Sequence, residues 1–258
     1  MKTPLVAGNW KMNGTRADAL RLARGIYHGM KNLHRVEVVL APPFTALATV
    51  AGVTRKTKIR LAAQNVHWEE SGAFTGEISP KMLKESGCQY VIIGHSERRH
   101  IFLESDLMVA RKILAALNTG LLPILCVGET LHERQNGKMR QVISRQLRAA
   151  LKGVGENAID KITIAYEPVW AIGTGHHATA DQVRQAHRWI RNCLNQLFGK
   201  NKVMENRILY GGSVRPENTV ELARVLEVNG LLVGGASLKA IDFLSIIRGF
   251  ADVKAGVV

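Results

Sequence analysis

A glutamate stands where an apolar, β-branched stretch of the chain ends. Residues 162–166 form the stretch, Glu167 follows directly, and Pro168 comes next. Such a run is typical of a buried strand, and residues at the carboxyl end of a strand are often catalytic in parallel barrels. Because proline restricts the residue before it, the carboxylate has a stiff base. Glu167 is therefore a candidate general base for proton abstraction.

The loop after this glutamate contains Gly173 and Gly175. Glycine gives the backbone freedom to change conformation, so we expect the loop to close over a bound ligand. A fixed base beneath a mobile loop suits proton abstraction in a site from which water is excluded.

A lysine and a histidine follow two other apolar stretches. Lys11 lies two residues after Asn9, where we expect the first strand to end, and its ammonium could meet a phosphate or a developing oxyanion. His95 follows residues 90–93 and precedes a short polar segment that could begin a helix. The partial positive charge of a helix N-terminus favours a neutral imidazole, which could polarise a carbonyl by donating a hydrogen bond.

Two glycine pairs end the last two apolar stretches. Gly211-Gly212 is followed by Ser213, and Gly234-Gly235 closes the final stretch. Glycines allow backbone N–H groups to approach an anion closely, and barrels often hold phosphate after strands seven and eight. The paired positions predict a phosphate site.

Other chemically capable residues give weaker signals. Glu129 after the fifth stretch could be a second acid, or it could hold the mobile loop. His176-His177 suggests a metal, but adjacent histidines rarely chelate one ion alone, and we predict no metal site. Arg98 and Arg99, which follow His95 closely in the sequence, are best explained as a structural ion network.

The arrangement of apolar segments predicts an α/β fold with eight parallel strands ringed by helices. Helical patterns separate the eight short segments, which are 4–8, 36–41, 59–63, 90–93, 122–127, 162–166, 208–210 and 231–233. Most are continuous rather than alternating, as in strands buried on both faces. A (β/α)8 barrel formed by residues 1–258 as one domain accounts for the count. A doubly wound open sheet is the alternative, but the first turn lacks its GxGxxG pattern.

Composition narrows the possible partners. The net charge of +14 is strongly basic, but the basic residues are scattered along the sequence and no nucleic-acid module is evident. We therefore expect a positive field that attracts small anions, with no nucleic acid and no membrane as partners. The three cysteines are widely spaced, and the first residues lack the pattern of a signal peptide, so we expect a cytoplasmic protein with free thiols.

In five segments the sequence resembles the triosephosphate isomerase family. The segments occur in the family's order, and they are Gly8-Asn9-Trp10-Lys11-Met12-Asn13, Ile93-Gly94-His95-Ser96-Glu97-Arg98-Arg99, residues 165–175, Tyr210-Gly211-Gly212-Ser213-Val214 and Val233-Gly234-Gly235-Ala236-Ser237. The resemblance implies cofactor-free interconversion of dihydroxyacetone phosphate and D-glyceraldehyde 3-phosphate through an enediolate. Another phosphate-binding barrel enzyme is the alternative, and the net charge alone suggests a binder of nucleic acid or an anionic surface.

The same resemblance implies roles for individual residues. Glu167 would be the base and His95 a neutral electrophile, a pairing already described for this family. Asn9 and Lys11 would hold the substrate and stabilise the enediolate. The phosphate would be bound by Gly173, Ser213, Gly234 and Gly235. Glu97 would belong to the site with a less defined role, and Trp170 would meet Glu129.

A long loop is expected to mediate self-association. The segment 66–78 begins at Val66, ends at Ile78 and carries Phe74 and Thr75 near its tip. It is long for a connection between a strand and a helix, and loops of this length often have a function of their own. By resemblance it would dock into a second subunit near Lys11 and His95 of that subunit, giving a homodimer.

Overall fold

Eight parallel strands form a closed barrel in chain order. The structure is a computed structural model, and it describes residues 2–30, 33, 35–172 and 177–257. Pairing of the first strand with the eighth closes the sheet, with Leu5 opposite Gly230 and Val6 opposite Leu231. This closure confirms the predicted barrel and excludes the doubly wound open sheet.

The strands lie close to the predicted segments. In chain order they are β1 Leu5–Asn9, β2 Glu37–Ala41, β3 Arg60–Ala63, β4 Tyr90–Ile93, β5 Leu122–Val127, β6 Thr163–Tyr166, β7 Ile208–Tyr210 and β8 Gly230–Val233. Glu167 therefore follows β6 directly, as predicted.

Helices surround the sheet, and several are short. Among the described residues they are α1 Arg16–Gly29, α2 Leu47–Thr54, α3 Pro80–Glu85, α4 Ser96–His100, α5 Asp106–Asn118, α6 Leu131–Gln135, α7 Met139–Ala150, α8 Ala180–Phe198, α9 Lys200–Val203, α10 Thr219–Arg224 and α11 Ala240–Lys254. None of these helices is both long and apolar enough to cross a membrane.

The strands bury both of their faces, which explains their continuous apolar sequences. One set of side chains packs together in a cluster of its own and includes Ala7, Ile92, Cys126 and Ala165. The neighbouring positions join a second cluster with the helices, as Ile93 does. Because residues alternate between the two faces of a strand, both sets must be apolar.

Serine and threonine side chains cap the N-termini of several helices. Thr15, Ser79, Ser105, Thr130 and Thr179 each accept a hydrogen bond from the backbone N–H three residues later. Such caps satisfy N–H groups that have no partner inside the helix. They fix the residue at which each of these loops ends and its helix begins.

Candidate active site

A cleft of about 700 Å³ opens at the carboxyl ends of the strands. Its walls come from the loops that follow β1, β4, β6, β7 and β8. The predicted site residues that line it are Asn9, Lys11, His95, Glu167, Ser213, Gly234 and Gly235. Gly173, the remaining predicted phosphate ligand, lies outside the described residues.

Glu167 is buried at the floor of this cleft with only 1% of its surface exposed. Its Oε2 accepts a hydrogen bond of 2.8 Å from the backbone N–H of Ser96. Its Oε1 lies 3.1 Å from Nε2 of His95 but accepts no hydrogen bond from the described residues. One carboxylate oxygen is thus anchored, and the other is left to take a proton.

A backbone hydrogen bond selects the tautomer of His95. The N–H of Glu97 donates to Nδ1 of the ring at 3.2 Å, as His95 caps the start of α4. Because Nδ1 accepts this bond, the proton of the neutral ring must be on Nε2. The N–H of the imidazole is therefore on the ring nitrogen that lies nearest Glu167.

Lys11 is held over the cleft by its backbone and its side chain. Its φ of 52° lies in the left-handed region, which is uncommon for a residue other than glycine. Two neighbours stabilise this geometry: Asn9 accepts the Lys11 N–H at 3.1 Å, and Gln64 donates to the Lys11 carbonyl at 2.9 Å. The ammonium lies 2.5 Å from Oε1 of Glu97.

The two glycine pairs lie on the same cleft as the acid–base groups. A methyl group placed on Gly234 would lie 3.5 Å from Cε of Lys11, so this turn and the lysine are direct neighbours. Gly235 begins a short 3-10 turn, and the carbonyl of Ser213 is held by Asn218 at 2.9 Å. The lysine charge and the glycine turns therefore face the same space.

Glu129 accepts hydrogen bonds from three neighbouring side chains. It is fully buried, and it does not line the cleft. Its Oε1 accepts hydrogen bonds from Tyr166 at 3.0 Å, from Trp170 at 3.1 Å and from Arg134 at 3.1 Å. The expected meeting of Trp170 and Glu129 is thus seen, and these contacts favour the role of holding the loop over that of a second acid.

The two arginines after Glu97 form the predicted structural ion network. Arg98 lies 2.5 Å from Glu104, whose carboxylate also binds the buried Lys112 at 2.9 Å. Arg99 binds Asp106 at 2.8 Å and donates to the Gly94 carbonyl at 2.7 Å. The network ties the loop after β4 to α5 and so holds His95 in place.

A thiol packs beside the carboxylate of Glu167. Cys126 is completely buried at the end of β5. Burial raises the pKa of its thiol well above the usual value, and the carboxylate of Glu167 raises it further. The thiol therefore stays protonated beside the carboxylate. Within the described ranges no group of three or more His, Cys, Asp or Glu could hold a metal, and His176 lies outside them.

Sequence reasoning missed several residues that line the cleft or bind the backbone around it. Ser96 lies in the segment 93–99, but nothing in the sequence indicates that its backbone anchors Glu167. Gln64 and Gln146 act on backbone groups far away in sequence, and no local pattern points to them. Arg215 and Lys239 also line the cleft and lie one or two residues past segments that were noticed.

Acid–base groups gathered at the carboxyl ends of eight parallel strands place this protein among the (β/α)8-barrel enzymes. A family model described as "Triosephosphate isomerase" matches residues 4–250. The chain therefore belongs to the triosephosphate isomerase family.

Individual relatives and a solved structure agree with this assignment. The chain is 48% identical to a triosephosphate isomerase of Syntrophotalea carbinolica, over 96% of this chain and 98% of the relative. It is 51% identical to one from Caldanaerobacter subterraneus subsp. tengcongensis, over 96% of this chain and all of the relative. The crystal structure of triosephosphate isomerase from Bartonella henselae superposes with a TM-score of 0.87 at 43% identity, covering 98% of this chain and 100% of that chain. Neither another class of phosphate-binding barrel nor a polyanion binder is favoured by these matches.

Proposed function

We propose that Glu167, His95 and Lys11 carry out the chemistry of this enzyme and that the glycine turns bind the phosphate of its substrate. The protein is an isomerase that interconverts dihydroxyacetone phosphate and D-glyceraldehyde 3-phosphate. The reaction moves a hydrogen between two neighbouring carbons. It needs a base that takes a proton from one carbon and returns it to the other, and a donor that stabilises charge on the substrate oxygens.

The proposal rests on the pairing of Glu167 with His95. The carboxylate has one anchored oxygen and one oxygen without a hydrogen bond from the described residues, 3.1 Å from Nε2 of the imidazole. A carboxylate can take the carbon-bound proton while the neighbouring N–H donates to the oxygen that becomes negatively charged. The resulting enediolate has its charge next to a donor, which is where electrostatic stabilisation lowers the barrier.

The lysine and the glycine turns suit the charged end of the substrate. Lys11 contacts the Gly234 turn, and Ser213, Gly234 and Gly235 line the same cleft. We assign the phosphate to these three residues and the enediolate to Lys11 and Asn9. Holding the phosphate apart from the reacting carbons opposes its loss from the enediolate.

Self-association through the loop 66–78 is part of the proposal. Residues 69–77 are all exposed, and Phe74 has 42% of its surface exposed. The loop nevertheless has an ordered shape, because the Phe74 ring packs 4.3 Å from His67 and the His67 N–H donates to the Ile78 carbonyl at 2.8 Å. A preformed loop with an exposed aromatic tip suits docking into a second copy of this chain.

The cysteines bear on the compartment of the protein, and the strand pairing bears on its division into domains. The three cysteines are free and buried, which fits a reducing compartment, and we propose that the enzyme works in the cytoplasm. We also propose that residues 1–258 fold as one domain, since the barrel closes between its first and last strands.

The experiment that tests the assignment is a coupled isomerase assay on the purified protein and its Glu167→Asp variant, with a chelator and no added cofactor. Aspartate withdraws the carboxylate by about 1 Å, and a misplacement of that size can cost about 10²-fold in rate. We expect the parent to turn over glyceraldehyde 3-phosphate and the variant to fold but lose about that much activity. A variant with the parental rate would overturn the role of Glu167.

A further inference from the structure

A glutamine outside the cleft holds the backbone beside the base. Gln146 lies on α7 with 3% of its surface exposed, and it does not line the cleft. Its Oε1 accepts the N–H of Gly128 at 2.8 Å, and its Nε2 donates to the Gly128 carbonyl at 3.1 Å. The side chain thus satisfies both backbone groups of the first residue after β5.

This pairing replaces a strand partner. The ladder between β5 and β6 ends with Val127 opposite Tyr166, so the buried N–H and carbonyl of Gly128 lie just beyond it. Buried backbone groups without partners are costly. The amide of Gln146 offers one donor and one acceptor and therefore binds Gly128 as a neighbouring strand would.

Gly128 is in direct contact with the backbone of Glu167. A methyl group on Gly128 would lie 1.7 Å from the Glu167 carbonyl oxygen, so only glycine fits here. Val127 and Glu129, on either side of Gly128, bind the backbone of the segment that carries Glu167. The N–H of Glu167 donates to the Val127 carbonyl at 2.8 Å, and the N–H of Val169 donates to the backbone carbonyl of Glu129 at 3.1 Å.

The opposite side of Glu167 is closed by β7. The N–H of Gly211 donates to the Tyr166 carbonyl at 2.8 Å, and a methyl group on Gly211 would lie 3.0 Å from Cγ of Glu167. The glutamate is therefore held between two backbone segments. A displacement of Gly128 is transmitted to the carboxylate because close-packed interiors leave little room to absorb it.

We propose that Gln146 is a positioning residue for the Glu167 base, acting through the backbone of Gly128. This inference rests on the proposed role of Glu167. Gln146 contacts neither the phosphate-binding turns nor the cleft, so its loss should change the rate of proton transfer and leave substrate binding largely intact.

The test uses two substitutions of similar size, Gln146→Met and Gln146→Glu. Methionine makes neither hydrogen bond, and we expect kcat to fall about 10- to 100-fold with KM changed less than about twofold. A deuterium isotope effect from carbon-deuterated substrate should increase, because proton abstraction becomes slower than the other steps. These readouts separate positioning from a merely structural role, which would lower only stability.

Gln146→Glu adds a pH signature. A protonated carboxyl group has one donor and one acceptor and can bind Gly128 as glutamine does, whereas the ionised form cannot donate. The ratio of variant to parental kcat should therefore be highest at the acid end of the measurable range and fall as pH rises. This variant also keeps the proposal testable if Gln146→Met does not fold.

Asn206 provides the matched control. Its buried amide donates to the carbonyls of Ile159 at 2.6 Å and Ile162 at 2.9 Å, beside the start of β6 rather than at its catalytic end. Asn206→Leu should lower thermal stability without changing kcat. The inference is overturned if Gln146→Met has a kcat within twofold of the parent, or if Gln146→Glu shows a pH-independent ratio. Glu167→Asp is measured in parallel. If the assignment of Glu167 as the base is wrong, Glu167→Asp keeps full activity. If only the role of Gln146 is wrong, Glu167→Asp still loses activity.

Discussion

Nε2 of His95 lies 3.1 Å from Oε1 of Glu167, and the other oxygen of the carboxylate is bound to the backbone N–H of Ser96 at 2.8 Å. The two side chains come from the ends of β4 and β6, which are not adjacent in the barrel. Their approach depends on the parallel arrangement of β4, β5 and β6, because parallel strands deliver their last residues to the same end of the barrel. The proposed acid–base pair is thus brought together by the order of the strands in the barrel.

Lys11→Ala should weaken both substrate binding and turnover. The substitution removes the charge that lies 2.5 Å from Glu97 and next to the Gly234 turn. Hydrogen bonds to charged groups contribute about 1.5–3 kcal/mol, so we expect kcat/KM to fall at least about tenfold. Steady-state kinetics on triose phosphate measure the effect, with Lys84→Ala as a control because Lys84 bonds to Gly120 away from the cleft. Unchanged kinetics would remove Lys11 from the site.

Substitution of Phe74 by serine should dissociate the proposed dimer. The change removes the exposed aromatic tip and its packing on His67, so the loop loses both its anchor and its shape. Sedimentation velocity at micromolar concentration should show a monomer, with reduced activity per chain. Leu226→Ser is the control, since this residue is 86% exposed and lies just before β8, far from the loop. A dimer of unaltered stability in the Phe74 variant would contradict the docking model.

Acid should destabilise the fold through His187. Burial lowers the pKa of this histidine to about 4, and its Nδ1 lies 3.1 Å from the Glu227 carbonyl. The unfolded chain binds a proton near the ordinary value of about 6.5, so between these two pKa values the unfolded state holds more protons and stability falls as pH falls. Between pH 7 and pH 5 the loss from this group is about 2 kcal/mol.

Urea unfolding at fixed protein concentration measures that loss. His187→Asn keeps a donor near the Glu227 carbonyl but does not titrate, so its stability should change less between pH 7 and pH 5 than that of the parent. An identical pH dependence in both proteins would show that His187 is not the group responsible.

Much of the barrel could be predicted because its strands are apolar on both faces. β4, β5 and β7 have the predicted bounds, and the other strands differ by one residue at one or both ends. Local periodicity is weak in the short helices α2 and α3. α2 is short and apolar on most sides, and α3 has six residues that begin at Pro80. Tertiary packing, rather than local periodicity, decides such short elements.

The site residues that carry charge or follow a strand could be found from the sequence, because chemistry at the mouth of a barrel is tied to strand ends. Lys11, His95 and Glu167 were found in this way. The supports were not, since Ser96 acts through its backbone and Gln146 acts across 18 residues of chain. Glu129 was ambiguous because its position after β5 suits an acid, and only its three hydrogen-bond partners favour a role in holding the loop.

The most direct test of the account is solvent hydrogen exchange during turnover in D₂O with the parent and with Glu167→Gln. The amide has the size of the carboxylate but cannot accept the carbon-bound proton as a base. We predict that the parent incorporates deuterium into the product carbon. Glu167→Gln should still bind a triose phosphate but should show neither isomerisation nor exchange. Exchange at the parental rate in the Glu167→Gln protein would contradict the central claim that this carboxylate moves the proton.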